Sequence, residues 1–158
     1  MNGKQQVAAH RARVEAVFAR AKRIEEDGDA EIRSDLARYL CVIVSGYLEK
    51  SVSEMLIQHA RRSGSPPLQR FVERSVGKFT NANCGKLMSL FSTFDPRWGS
   101  RLQAVLVDDV KEAVDSVVAN RHLVAHGENV GITYARMWEY YQRITQVVEV
   151  IILMCDPV

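Results

Sequence analysis

Apolar residues recur every three or four positions along most of this chain, the spacing of helices packed on one face. From about Gln5 to Asp27, Val7, Val14, Phe18, Ala21 and Ile24 keep that spacing, while Arg13, Arg20 and Arg23 fall away from it. Gly28 is expected to end this helix as a left-handed terminal glycine. Asp29 is placed to cap a second helix that runs to about Arg62. The second helix carries Ile32, Leu36, Tyr39, Leu40, Ile43, Tyr47, Leu48, Val52, Met55 and Leu56. At 1.5 Å per residue it would span roughly 50 Å, and Ser45-Gly46 in its middle is where a bend is expected. Ser63-Gly-Ser-Pro-Pro67 is the clearest break. Beyond it, Leu68 to about Gly99 reads as short helices joined at Thr80-Asn-Ala-Asn83 and Asp95-Pro96. A third long helix is predicted over about Leu102 to His126, closed by Gly127, Asn129 and Gly131. Thr133 then caps a last helix through about Met154, with Trp138, Tyr141, Ile144, Val148 and Ile151 on one face. No stretch alternates with period two for the length of a strand. The pattern predicts an all-α fold, an up-and-down bundle of four to five helices.

Composition narrows the class without naming a function. The 158 residues are 47% apolar and 25% charged, the make-up of a globular chain, and their number suits a single domain over 1–158. Lys and Arg total 21 against 19 Asp and Glu, a net +2 that excludes only a strongly basic DNA-coating protein. Cys41, Cys84 and Cys155 form no CxxC pair and fit inert thiols in a reducing compartment. The longest apolar run, Val150 to Cys155, is far short of the ~20 residues a membrane helix needs. No signal peptide is visible at the start. A cytoplasmic protein with no membrane partner is the expectation.

The third long helix holds the most informative anomaly. Val107, Val110, Val114, Val117, Val118, Val124 and Ala125 make its apolar stripe, and Arg121 lies at i+4 from Val117 and i+7 from Val114. A guanidinium there needs a partner, a ligand or a wet interface, because a buried unpaired charge costs several kcal/mol. His122 and His126 follow, two of only four histidines in the chain. Histidine suits proton transfer near neutral pH, and the cluster sits at a helix end, where sites open. The plainer alternative is a buried Arg–Glu pair with two ordinary histidines beside it.

Asn120-Arg-His-Leu-Val-Ala-His-Gly127 resembles the Arg-x4-6-His signature of HEPN domains, with Arg121 and His126 at its two named positions. The signature usually has a polar residue after the arginine, most often Asn; here it is His122. Tyr47-Leu-Glu-Lys50 and the run from Lys78 through Asn83 and Leu87 to Phe91 are similar to the RiboL-PSP-type branch of that family. Together these segments cover most of residues 30 to 155. The resemblance implies a metal-independent endoribonuclease acting on RNA, without cofactors, as a homodimer whose active site takes Arg and His from both protomers. Under it, Arg121 and His126 are the catalytic pair and His122 orients Arg121 or touches phosphate. Glu49 is the counter-charge to Arg121, and Asn120 and Glu128 are neighbours in supporting positions. A toxin–antitoxin or antiviral setting, with an antitoxin or regulatory protein as partner, follows from the family alone. Some HEPN toxins carry a tyrosine two residues after the histidine, modified by a partner nucleotidyltransferase. Glu128 stands there in this chain, and Tyr134 is too far along to replace it.

Geometry restrains the reading. Residues five apart on an ideal helix are separated by about 140° around its axis, so Arg121 and His126 do not share a face. Either the helix end distorts near Gly127 or the two groups meet across a dimer axis. His122 and His126, four apart, do share a face. That pair also invites a zinc site, but a zincin helix needs Glu after its first histidine, where this chain has Leu123, and no third ligand is evident. A HEPN-fold module that binds RNA or assembles without catalysis is the remaining alternative. Arg11, Arg13, Arg20, Arg61, Arg62, Arg70, Arg74, Arg97 and Arg101 could meet phosphates under either reading, or simply keep helix faces solvated. Trp98 and Trp138 suit core or dimer contacts better than base stacking. The last helix is apolar enough to serve either as core or as subunit interface.

Overall fold

The computed structural model describes residues 1–157. Seven helices run in chain order: α1 (Gly3–Asp27), α2 (Ala30–Ser63), α3 (Pro66–Val76), α4 (Cys84–Phe94), α5 (Pro96–Val105), α6 (Asp108–Ala125) and α7 (Tyr134–Cys155). No strand occurs among the described residues. The four long helices α1, α2, α6 and α7 make the up-and-down bundle, and α3 to α5 are shorter additions in the α2–α6 connection.

Local chemistry explains most of the boundaries. Asn2 and Gln5 form a reciprocal capping box at 2.9 Å each, so α1 begins at Gly3, two residues before the start its apolar spacing suggests. Asp29 accepts from the Ile32 N–H at 2.9 Å and starts α2, as its sequence position suggested. Gly28 is not left-handed: its φ of −82° and ψ of 157° are extended. Glycine fits there because a Cβ would come within 2.6 Å of the Ile24 carbonyl oxygen. The second helix runs unbroken through Ser45-Gly46. Asn83, Asp95 and Thr133 cap α4, α5 and α7 with their side chains.

The predicted third long helix is two. It breaks at Leu106–Val107, and Asp108 takes a left-handed φ of 48° at the start of α6. The capping position falls on Val107, whose side chain has nothing to accept an N–H, so the break carries no capping signal. The apolar period runs straight across it. As a result Val107 is exposed rather than part of the stripe, and Ala125, the last helical residue, is exposed too.

The central helix α2 packs against α1, α3, α6 and α7. Its C-terminal end meets the start of α1, where Gln58 Oε1 accepts from the Gly3 N–H, and the end of α7, where His59 Nδ1 lies 3.3 Å from the Cys155 carbonyl. Hence α2 runs antiparallel to α1 and parallel to α7. The buried side chains join in one cluster that includes Phe18, Leu40, Leu48, Met55, Leu87, Phe91, Val117, Ile144 and Ile151. The α7 face packs largely as core, with Tyr141, Ile144, Val148 and Ile151 all buried and Trp138 set edge-on to Phe18 at 5.2 Å. Trp98 packs on Phe94 and, edge-on, on His59. Ile32 and Tyr39 of α2 face outward. The three cysteines are free and buried, and burial pushes each thiol up to about 12. Among the described residues no helix is long and apolar enough to cross a membrane.

Candidate active site

The end of α6 has a defined geometry. Gly127 takes a φ of +72°, its N–H donates to the Val124 carbonyl at 3.0 Å, and the Glu128 N–H donates back to Leu123 at 3.0 Å. These two bonds and the left-handed glycine are a Schellman motif. His126 is the residue just before that glycine, with φ −90° and ψ 9° at the helix exit, and its side chain is exposed. Its ring meets His122 edge-on at 4.4 Å, the i, i+4 contact expected of that spacing. Glu128 contributes its backbone to the motif, and its side chain is exposed. Asn120 turns its amide back onto its own helix, donating to the Ser116 carbonyl at 2.8 Å.

Arg121 is half-buried at the edge of the stripe formed by Val114, Val117 and Val118. It has no carboxylate within 4 Å among the described residues, so Glu49 is not its direct counter-charge. Asn81 stands between them. Its side-chain oxygen accepts from Arg121 Nη1 at 3.4 Å, and its backbone N–H donates to Glu49 Oε1 at 2.8 Å. Asn81 adopts a left-handed φ of 54°, a conformation Asn tolerates better than most residues. Glu49 therefore fixes the loop residue that meets the guanidinium. On its other side Arg121 lies near Cys41, whose thiol is pushed up by burial while the guanidinium works in the opposite direction.

An open groove of about 700 Å³ borders this end of α6, lined by Asn81, Asn83, Asp115, Val118 and His122 among others. Arg121 and His126 do not line it. Asp115 is spoken for: it accepts from Lys111 Nζ at 2.6 Å and from the Cys84 N–H at 2.9 Å. Burial opposes its ionisation, but those two bonds hold its carboxyl below the usual carboxylate range. The polar groups of the groove are thus amides, a histidine and an ion-paired acid, set among the apolar side chains of Val118, Ala119 and Leu123. Among the described residues no three His, Cys, Asp or Glu side chains gather to hold a metal ion.

The structure so arranges the candidate residues in two groups. His122 and His126 meet edge-on at the exposed helix end, and the half-buried Arg121 forms a chain with Asn81 and Glu49. Asn81 is the member that motif reading leaves without a role. Its signal is a pair of asparagines in the joint before α4, one free to adopt positive φ and the other, Asn83, the cap of α4.

A family model described as RiboL-PSP-HEPN matches residues 12–155, a span that includes every residue of this cluster. No curated protein and no solved structure matches the chain.

Proposed function

Since this chain belongs to the RiboL-PSP-HEPN family, we propose that it is a metal-independent endoribonuclease with Arg121 and His126 as its catalytic pair. The observation that carries this reading is a half-buried arginine held by a neutral asparagine, beside an exposed histidine at a rigidly capped helix end. A guanidinium given a carboxylate would be a structural ion pair; this one keeps its full charge for an anion.

RNA carries its own nucleophile. A base takes the proton of the 2′-hydroxyl, the 2′-oxygen bonds to phosphorus, and the P–O5′ bond breaks as the departing 5′-oxygen gains a proton. The products are a 2′,3′-cyclic phosphate and a 5′-hydroxyl. His126 carries the proton transfers. Arg121 directs its fork of donors at the phosphoryl oxygens, where negative charge builds in the transition state. His122 supports His126 from one turn back and faces phosphate from the groove. The wide separation of Arg121 and His126 around the helix favours a homodimer in which the cleft takes residues from both protomers. A cytoplasmic toxin or antiviral effector held by an antitoxin or regulatory protein is the setting this assigns.

The second reading, a HEPN-fold module that binds RNA or assembles without turnover, is favoured by one observation: within one chain, Arg121 and His126 do not line a common groove. Arg121→Ala and Arg121→Lys separate the two. Loss of cleavage in both variants, with the parent's melting curve and oligomeric state, supports catalysis. Cleavage that persists, or a chain that no longer folds, overturns the assignment.

A further inference from the structure

Helix α3 presents an outward face that the proposed site does not use. Phe71 is 69% exposed and Leu68 59% exposed, beside Pro67. Arg70 and Arg74, four apart and so on one face, lie together on one side of Phe71. A surface concavity of about 710 Å³ is lined by Pro67, Arg70, Phe71, Glu73 and Arg74. Its one acid, Glu73, is neutralised by Arg61 at 2.8 Å.

The ion pairs sort the arginines. Arg11, Arg61, Arg62 and Arg97 each hold a carboxylate. Arg70 and Arg74 hold none within 4 Å among the described residues, nor do Arg13, Arg20 and Arg101, but the α3 arginines are a pair that shares one concavity with an exposed aromatic ring. Lys78, exposed two residues past the end of α3, extends the basic run along the segment that leads to Asn81 and its groove. A bare aromatic ring with a pair of unpaired cations along one side matches a nucleic-acid strand, whose bases stack on the ring while its phosphates follow the arginines. An apolar protein partner would leave the same two charges buried and unmatched.

We propose that α3 is a docking site for single-stranded RNA, with Phe71 as a base-stacking platform, Arg70 and Arg74 as phosphate contacts, and the strand passing by way of Lys78 to the Asn81 groove. This rests on RNA being the substrate. It makes α3 the element that lets the protein prefer unpaired RNA, because a base in a duplex has no free face to stack.

The test uses the full chain and a fluorescein-labelled mixed-sequence 20-mer of 2′-O-methyl RNA, which lacks the hydroxyl needed for cleavage, read by fluorescence anisotropy. The parent is expected to bind it, and Phe71→Ala to bind at least about fivefold more weakly, the scale of one lost stack. Phe71→Trp should restore affinity. Arg70→Ala/Arg74→Ala should lower the slope of log Kd against log salt by about 1.4, two single-strand phosphate contacts. Equal affinity of parent and variants overturns the docking site even if ordinary RNA is cut. Loss of affinity in the variants supports it even if ordinary RNA is not cut. A change in oligomeric state with Phe71→Ala, RNA affinity unchanged, overturns it in favour of a second copy on this face.

Discussion

The side-chain oxygen of Asn81 accepts a hydrogen bond from Arg121 Nη1 at 3.4 Å, across forty residues of sequence. The same residue donates its backbone N–H to Glu49. An arginine that would otherwise swing freely at a helix edge is therefore aimed by a loop, and the loop is pinned by α2. A carboxylate in that place would hold the cation more tightly and cancel the charge an RNA phosphate needs.

Asn81 is accordingly a positioning residue. Asn81→Gly keeps the left-handed backbone and removes only the oxygen, and a hydrogen bond to a charged group is worth about 1.5–3 kcal/mol. The expected result is at least about a tenfold drop in kcat/KM on RNA with little change in Tm. Asn81→Asp, which tolerates positive φ but sets a carboxylate against the guanidinium, should not recover the rate. Full activity in Asn81→Gly would show that the contact does not aim Arg121.

Gly127 sets where His126 points. A residue with a Cβ in the left-handed conformation costs roughly 1–2 kcal/mol, so Gly127→Ala should lower Tm by about 2–4 °C per kcal/mol and reduce cleavage with it. Gly127→Asn, at home in that conformation, should lose less of both. Thermal melts and initial rates on the same preparations check this. Identical behaviour of Ala and Asn would mean that the Schellman turn is not what holds the site.

Asp156 ties three helices together at one end of the bundle. It is buried at the end of α7, paired with Lys4 of α1 at 3.0 Å and with Arg62 of α2, and it accepts from Gln58 at 2.9 Å. Lys4, and then Arg62, hold its carboxyl below the ordinary range. A carboxylate with a lowered pKa in the folded state stabilises the protein above its unfolded pKa, near 3.9 by ordinary reference values (~3.9), and loses that contribution as pH falls through the lower folded value. Parent and Asp156→Asn should therefore differ in Tm at pH 7, and the gap should close as pH drops below about 4. A gap that does not change with pH would assign the effect to packing.

Much of this molecule is written in its helical period and its caps. The long helices and the starts at Asp29 and Thr133 follow from apolar spacing and from side chains that accept orphan N–H groups. The α5–α6 break was hidden because its capping position is a valine and the apolar pattern does not pause there. Arg121 and the histidines stood out because a cation in an apolar stripe is anomalous. Its real neighbour could not be read, because Asn81 reaches it from a loop and no local period records that contact. Glu49 entered only through the family resemblance, as a counter-charge, and its bond to the Asn81 backbone, rather than to Arg121, exists only in three dimensions.

The central claim is that His126 and Arg121 cleave RNA without a metal. Purified protein is incubated with mixed RNA in EDTA, beside identically prepared His126→Ala, and product ends are analysed. The account predicts cleavage by the parent alone, leaving 2′,3′-cyclic phosphate and 5′-hydroxyl ends. His126→Ala should fold nearly as well as the parent, since the capping bonds at this helix end are made by backbone groups and the His126 side chain is exposed. Equal cleavage in both tubes, or cleavage that returns only when a divalent ion is restored, would contradict it.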